Sequence, residues 1–198
     1  MPGLVKDLSL YSDFGTHRRQ TTWGIGKIPP SMAKFFATLP SKDLAILIPG
    51  VGNTYEVVHL LKHGFTNITM VDFARGVMNR LRAQFDYYLD KEIRLLTVDF
   101  FEHTGSYDLI IEQSFLTTIE RTLRHRYVDK MHSLLKNEGL LAGSFYERRI
   151  EQLYVQANTR PELDELFKDK FETLKMEISE GTYDSAMGAE LFAILRKK

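Results

Sequence analysis

No cysteine occurs in the 198 residues, so a disulfide framework, a thiolate zinc site and a cysteine nucleophile are all excluded. That absence suits a reducing compartment, and a cytoplasmic protein is the expectation. Apolar runs of the ~18 residues that a membrane span needs are also missing. Arg18 and Arg19 lead into polar Gln20-Thr21-Thr22, where an export signal would place an apolar stretch. Charge of one sign is missing too. Lys and Arg together number 26, and so do Asp and Glu, so no overall field draws the chain to nucleic acid or an anionic membrane. The expected partner is a small molecule, and the expected state a monomer or weak homodimer. Tryptophan is scarce, with Trp23 the single one.

What is present is an alternation of short β-rich runs with amphipathic stretches, the mark of an α/β domain on a largely parallel sheet. Strands are expected at residues 44–48, 68–71, 93–98, 107–111 and 140–145, each apolar on both faces as buried parallel strands are. Helices are expected at 55–63, 76–89 and 122–136, with Gly64 and Gly139 near their C-caps. A further helix at 161–167 precedes two runs, 171–178 and 190–196, with no helix between them. Those two should pair antiparallel. The reading is one domain over residues 1–198: a mostly parallel seven-stranded sheet with one antiparallel strand near the C-terminus, and helices on both faces. Residues 1–40 are expected to form an N-terminal lid or cap.

Chemistry is signalled at the strand ends. Gly50-Val51-Gly52 follows the first strand and opens a helix, leaving bare backbone and unpaired N–H groups where open α/β sheets bind ligands. Asp72 closes the second strand, twenty residues past Gly52, where a carboxylate can accept both ribose hydroxyls. Asp99-Phe100 closes the third, where an acid could take the adenine amino group and a ring could cover the base. Asp99 could equally be a helix N-cap or a loop acid. Together these point to an adenosine-containing cofactor. A dinucleotide site prefers a third glycine where this chain has Tyr55. S-adenosylmethionine carries no phosphate and tolerates a bulkier first turn.

The segments Ile48-Pro49-Gly50-Val51-Gly52, Val71-Asp72, Val98-Asp99-Phe100-Phe101 and Tyr107-Asp108-Leu109-Ile110-Ile111-Glu112-Gln113-Ser114-Phe115 resemble a class I methyltransferase. With Thr22-Trp23-Gly24-Ile25-Gly26, Pro29-Pro30 and the stretch from Tyr127 to Gly139, they resemble the thiopurine S-methyltransferase family, including its bacterial thiol and halide methyltransferase-like members. The resemblance implies a Rossmann-like fold and methyl transfer from S-adenosylmethionine, leaving S-adenosylhomocysteine. It places Trp23 over the cofactor, Gly50 and Gly52 as its backbone cradle, and Asp72 with neighbouring Phe73 at the ribose. Asp99 and Phe100 would flank adenine, and Gln113 would lie beside the methionine part. Trp23 could instead be a core or lid residue.

Displacement by a soft nucleophile such as an ionised thiol needs alignment and desolvation more than a strong base. If a proton must leave, Glu112 is the nearest carboxylate to the reaction edge, with Tyr11 or Tyr146 more remote. Glu112 could equally be a structural acid bonded to a loop. Relatives often carry a glycine- and proline-rich segment after the fifth strand. Here Phe145-Tyr146-Glu147-Arg148-Arg149 stands instead, so the expected acceptor, a thiol or similar soft nucleophile, rests on the resemblance alone and the inheritance of the substrate is open. A phenol or carboxylate acceptor, a cofactor-binding protein without turnover, and an NAD-dependent oxidoreductase are the alternatives. No metal is expected: His59 and His63 lack an H-E-x-x-H setting and read as a solvated face. Arg121, Arg124, His125 and Arg126 likewise read as a solvated helix face. Asp13-Phe14-Gly15 lacks every other part of a kinase and is a chance match.

Overall fold

Strands that are apolar on both faces are buried between two layers of helix, and the Ile-, Leu- and Val-rich runs form the centre of such a sheet. The computed structural model describes residues 28–52, 54–146, 158–179 and 190–198. The strands are β1 (Ile46–Pro49), β2 (Ile68–Asp72), β3 (Ile93–Thr97), β4 (Tyr107–Gln113), β5 (Leu135–Tyr146), β6 (Phe171–Ile178) and β7 (Glu190–Lys197). They lie in the order β3-β2-β1-β4-β5-β7-β6. The first five are parallel to one another, and β7 runs antiparallel to both β5 and β6. One reversed strand near the C-terminus is what two consecutive strand runs without an intervening helix require.

Among the described residues five helices cover the sheet: α1 (Pro30–Ala37), α2 (Tyr55–Lys62), α3 (Arg75–Gln84), α4 (Arg124–Leu134) and α5 (Arg160–Phe167). On one face Met32 and Phe36 of α1, Val57 and Leu60 of α2, and Met78 and Leu81 of α3 pack on Ile46, Ile48, Ile111, Ala142 and Phe192. On the other, Tyr127 and Met131 of α4 and Leu163 and Phe167 of α5 pack on Leu47, Ile110, Leu141 and Leu195. The split follows from side-chain alternation along each strand. Pro30 sits at the first position of α1, where its missing N–H costs nothing. Helix α5 starts on a reciprocal cap in which the Thr159 hydroxyl accepts from Glu162 N–H and the Glu162 carboxylate accepts from Thr159 N–H.

Two boundaries depart from the sequence reading. Gly64, with φ of 80°, does end α2, but Gly139 caps no helix. Helix α4 stops at Leu134, and β5 begins at once at Leu135, opposite Tyr107. Pairing resumes only at Leu140 opposite Leu109, so residues 136–139 bulge out, with Glu138 in the left-handed region at φ of 61°. A Cβ on Gly139 would lie 2.9 Å from Lys136 O, so glycine is needed there for close approach within the bulge. Similarly α3 ends at Gln84, and a 3-10 turn, Asp86–Tyr88, carries the chain to Asp90 at φ of 57°.

Candidate functional site

The parallel strands all end at one edge of the sheet, and the residues singled out from the sequence gather there. Gly50 follows β1 with φ of 62°, its N–H donating to Val71 O at 2.9 Å. A Cβ at this position would lie 2.1 Å from Cδ2 of Phe115, so the Phe115 ring rests directly on the Gly50 backbone. Gly52 differs: a Cβ there meets nothing within 4 Å, and its carbonyl accepts from Arg80 Nη2 at 3.3 Å. Gly50 therefore serves a turn and a packed ring, whereas Gly52 leaves open space above the backbone.

Asp72 ends β2 half-buried, with Oδ1 accepting from Ala74 N–H at 2.8 Å. Burial pushes its carboxyl up from the ordinary range, partly offset by backbone N–H groups of Ala74, Val51 and Phe73 and by the Arg80 charge. The carboxylate thus sits between the glycine turn and the start of α3, with Phe73 half-buried beside it. Asp99 follows β3, and its Oδ1 accepts from Phe101 N–H at 2.8 Å. Its carbonyl takes Glu102 and His103 N–H, both at 3.0 Å, so it also caps the turn after the strand. The Phe100 ring is only 4% exposed. It packs against Phe101, Phe115 and Tyr127 at centroid distances of 5.4, 5.2 and 5.8 Å. Trp23 and Tyr11 lie outside the described residues, as do residues 147–157, which include the altered segment after β5.

Glu112 is fully buried, and both carboxyl oxygens face its own loop. Oε1 accepts from Leu116 N–H at 2.6 Å and Oε2 from Ser114 N–H at 3.1 Å. Ser114 adopts φ of 61°, which turns these N–H groups inward and carries Phe115 over Gly50. Burial pushes the Glu112 carboxyl up to about 8, reinforced by the Glu190 charge and resisted by the loop N–H groups. The room for this is made across the sheet by Gly143, where a Cβ would lie 2.4 Å from Glu112 O. Next to it Gln113 is half-buried on the opposite face, with Oε1 cut off from water and from any hydrogen-bond partner.

Several residues of this edge carry no sequence signal that distinguishes them from ordinary core or surface. Tyr127 is fully buried, and its Oη has no hydrogen-bond partner. Burial and the Glu112 charge raise its pKa well above the usual tyrosine range, against the pull of Arg124. Arg124 corrects the expectation of a solvated basic face. It is 5% exposed, its Nη1 donates to Asn158 Oδ1, and burial lowers its pKa to about 10. Its neighbours do meet solvent: Arg121 pairs with exposed Glu162, and Arg126 lies over the Phe101 ring. Ser144 of β5, fully buried, also holds its hydroxyl without a partner. His59 and His63 stack at 4.0 Å along α2, away from the strand ends.

A family model described as thiopurine S-methyltransferase matches residues 16–178. A probable thiol methyltransferase 2 of Arabidopsis thaliana is 28% identical over 124 residues, covering 61% of this chain and 54% of that protein. The match spans about half the length of that relative. Among solved structures, the N-methyltransferase NodS from Bradyrhizobium japonicum WM9 in complex with S-adenosylhomocysteine is 16% identical, with 96% of each chain covered and a TM-score of 0.74. The 1,6-didemethyltoxoflavin-N1-methyltransferase of Burkholderia thailandensis, with its substrate and S-adenosylhomocysteine bound, is 18% identical. It covers 79% of this chain and 72% of its own, with a TM-score of 0.67. At these identities the structural likeness is one of fold.

Proposed function

Since this chain belongs to the thiopurine S-methyltransferase family, we propose that it transfers the methyl group of S-adenosylmethionine to a small molecule, with a thiol or similar soft nucleophile as acceptor. The observation that carries the reading is the row of groups along neighbouring strand ends: Asp99 after β3, Asp72 on β2, Gly50 and Gly52 after β1, and Gln113 on β4. Their chemistry fits the cofactor. Gly52 offers backbone under open space, the Asp72 carboxylate can accept ribose hydroxyls, and Gln113 Oε1 is a buried acceptor in want of a donor. When bound, S-adenosylmethionine supplies an electrophilic methyl group on a cationic sulfonium.

The chain's own part is to bind, orient and exclude water. Gly52 and Asp72 hold the adenosyl half, and Gln113 orients the amino-acid half. Phe115, with Phe100 and Tyr127 packed behind it, gives the edge an apolar aromatic side where a sulfonium can meet a ring face away from water. Glu112 fits a positioning role, because both its oxygens are engaged by the loop that carries Phe115. An acceptor that arrives ionised suits an edge where the candidate base is turned inward, and the Arabidopsis relative's description supports a thiol. Residues 1–40, of which α1 lies on the Ala142 and Phe192 face, serve as a cap over this edge in the same reading.

Calorimetric titration with S-adenosylmethionine, S-adenosylhomocysteine and NAD, each alone, tests the cofactor. Binding of the adenosyl compounds and not NAD is expected, followed by methyl transfer to thiols in a screen that includes phenols and carboxylates. Binding of NAD alone would overturn the reading. Binding of the adenosyl compounds with no turnover of any acceptor would reduce it to a cofactor-binding protein.

A further inference from the structure

The order of strands assigns positions along the ligand edge beyond the cofactor. Asp99, Asp72, Gly52 and Gln113 occupy the ends of β3, β2, β1 and β4, so a cofactor held by them reaches its amino-acid end at β4. The next strand end in that direction is β5, and the methyl acceptor must lie on that side. Ser144 stands there. It is the register partner of Gln113, and the alternation of both strands sends the two side chains to the same face, that of Ile111, Ala142 and Phe192. Phe35 of α1 covers this face, its ring 6.2 Å from that of Phe192.

Both polar groups are anomalous for their surroundings. Ser144 Oγ and Gln113 Oε1 are each shut off from water without a hydrogen-bond partner, on a face built mostly from apolar side chains. Buried polar atoms are nearly always satisfied, and an orphan calls for a ligand or a functional reason. The Ser144 hydroxyl holds no part of the fold together. The backbone of Ser144 does that, its carbonyl accepting from Ser114 N–H at 3.0 Å.

We infer that Ser144, with Gln113 beside it, is the polar anchor of the methyl acceptor, and that the acceptor is a small molecule carrying a hydroxyl or amide group next to its ionised nucleophilic atom. The Ser144 hydroxyl both donates and accepts, and Gln113 Oε1 has a second lone pair beyond the one that faces the cofactor, which together match a group that both gives and takes a hydrogen bond. The inference rests on the proposed methyl transfer and deepens it.

The test compares wild type with Ser144→Ala and Ser144→Cys, using S-adenosylmethionine and matched acceptors: 2-mercaptoethanol against ethanethiol, 2-mercaptoacetamide against propanethiol, and hydrosulfide and iodide as bare anions. The wild type is expected to favour each hydrogen-bonding thiol over its alkyl counterpart by ~10-fold or more in kcat/KM, and to use the bare anions least. In Ser144→Ala the preference should fall to about 2-fold or less through a raised KM, with Ser144→Cys intermediate. Affinity for S-adenosylhomocysteine should stay the same, and the thermal midpoint should stay the same or rise, which a structural hydroxyl would not allow. Equal use of both members of each pair by wild type, or the same preference in all three proteins, would overturn the inference while leaving methyl transfer intact. Cofactor binding without transfer to any acceptor would instead remove the methyl-transfer reading, and the inference with it.

Discussion

Replacing Gly50 by alanine should separate the two glycines of the turn into different roles. At φ of 62° an alanine is strained by about 1 kcal/mol relative to glycine. Its Cβ would also start 2.1 Å from Phe115 Cδ2 and 2.7 Å from Cγ, so the ring must move. Displacing a packed side chain costs about 1–3 kcal/mol. The sum of roughly 2–4 kcal/mol is a large part of a typical domain stability of about 5–15 kcal/mol, and should lower the thermal midpoint by about 5–15 °C. Urea unfolding followed by circular dichroism gives the free energies. The decisive comparison is a double-mutant cycle with Phe115→Ala. In that background only the backbone strain remains, so Gly50→Ala should cost about 1 kcal/mol. Gly52→Ala, where a Cβ meets nothing within 4 Å, should stay within about 0.5 kcal/mol of wild type, yet weaken S-adenosylhomocysteine binding by crowding the open backbone. Equal cost of Gly50→Ala with and without Phe115 would refute the packing argument.

Asp72→Ala should weaken S-adenosylhomocysteine binding about 10- to 100-fold, the worth of charge-assisted hydrogen bonds. Asp90→Asn, exposed and in the left-handed region that asparagine tolerates, should change it less than about 2-fold; equal effects on calorimetry would remove Asp72 from the site. Glu112 and Glu56 are buried carboxyls raised to about 8 and about 7, so the folded protein holds protons that the unfolded chain releases from the ordinary value of 4.5 upward. Their contribution to stability is full below that value and is lost as pH rises to about 8. Glu112→Gln should flatten the upper part of this decline in urea midpoints measured from pH 4.5 to 8.5, and an unchanged slope would contradict the assignment. Thr159→Ala removes one half of the α5 cap and should cost about 1 kcal/mol in the same unfolding assay.

The sheet was legible because its strands depend on apolar runs that only a two-sided core accommodates, and the reversed strand because residues 171–178 and 190–196 follow each other without a helix. The bulge at residues 136–139 was not. Its glycine answers to Leu135 and Lys136 across a distorted ladder, and local pattern cannot tell that from a helix cap. The strand-end row of Gly50, Gly52, Asp72 and Asp99 was readable from spacing, since each closes or follows a strand, whereas Gln113 came from the family resemblance. Arg124 was misread because guanidinium burial depends on Asn158, thirty-four residues away. Tyr127 and Ser144 gave no signal, since a tyrosine on a helix and a serine in a strand have ordinary patterns. Only tertiary burial without a partner sets them apart.

The reversal of β7 also decides which edge of the sheet residues 197 and 198 reach. Glu190 begins that strand beside Tyr146 at the ligand edge, so Lys197 ends it at the far edge beside Phe171. There Lys198 N–H donates to Lys170 O at 3.0 Å, and Lys197 Nζ donates to Leu135 O at 2.7 Å, pinning the last residues to the base of the sheet. A surface linker attached at Lys198 therefore points away from the glycine turn, and the protein can be tethered there with its ligand edge facing solution.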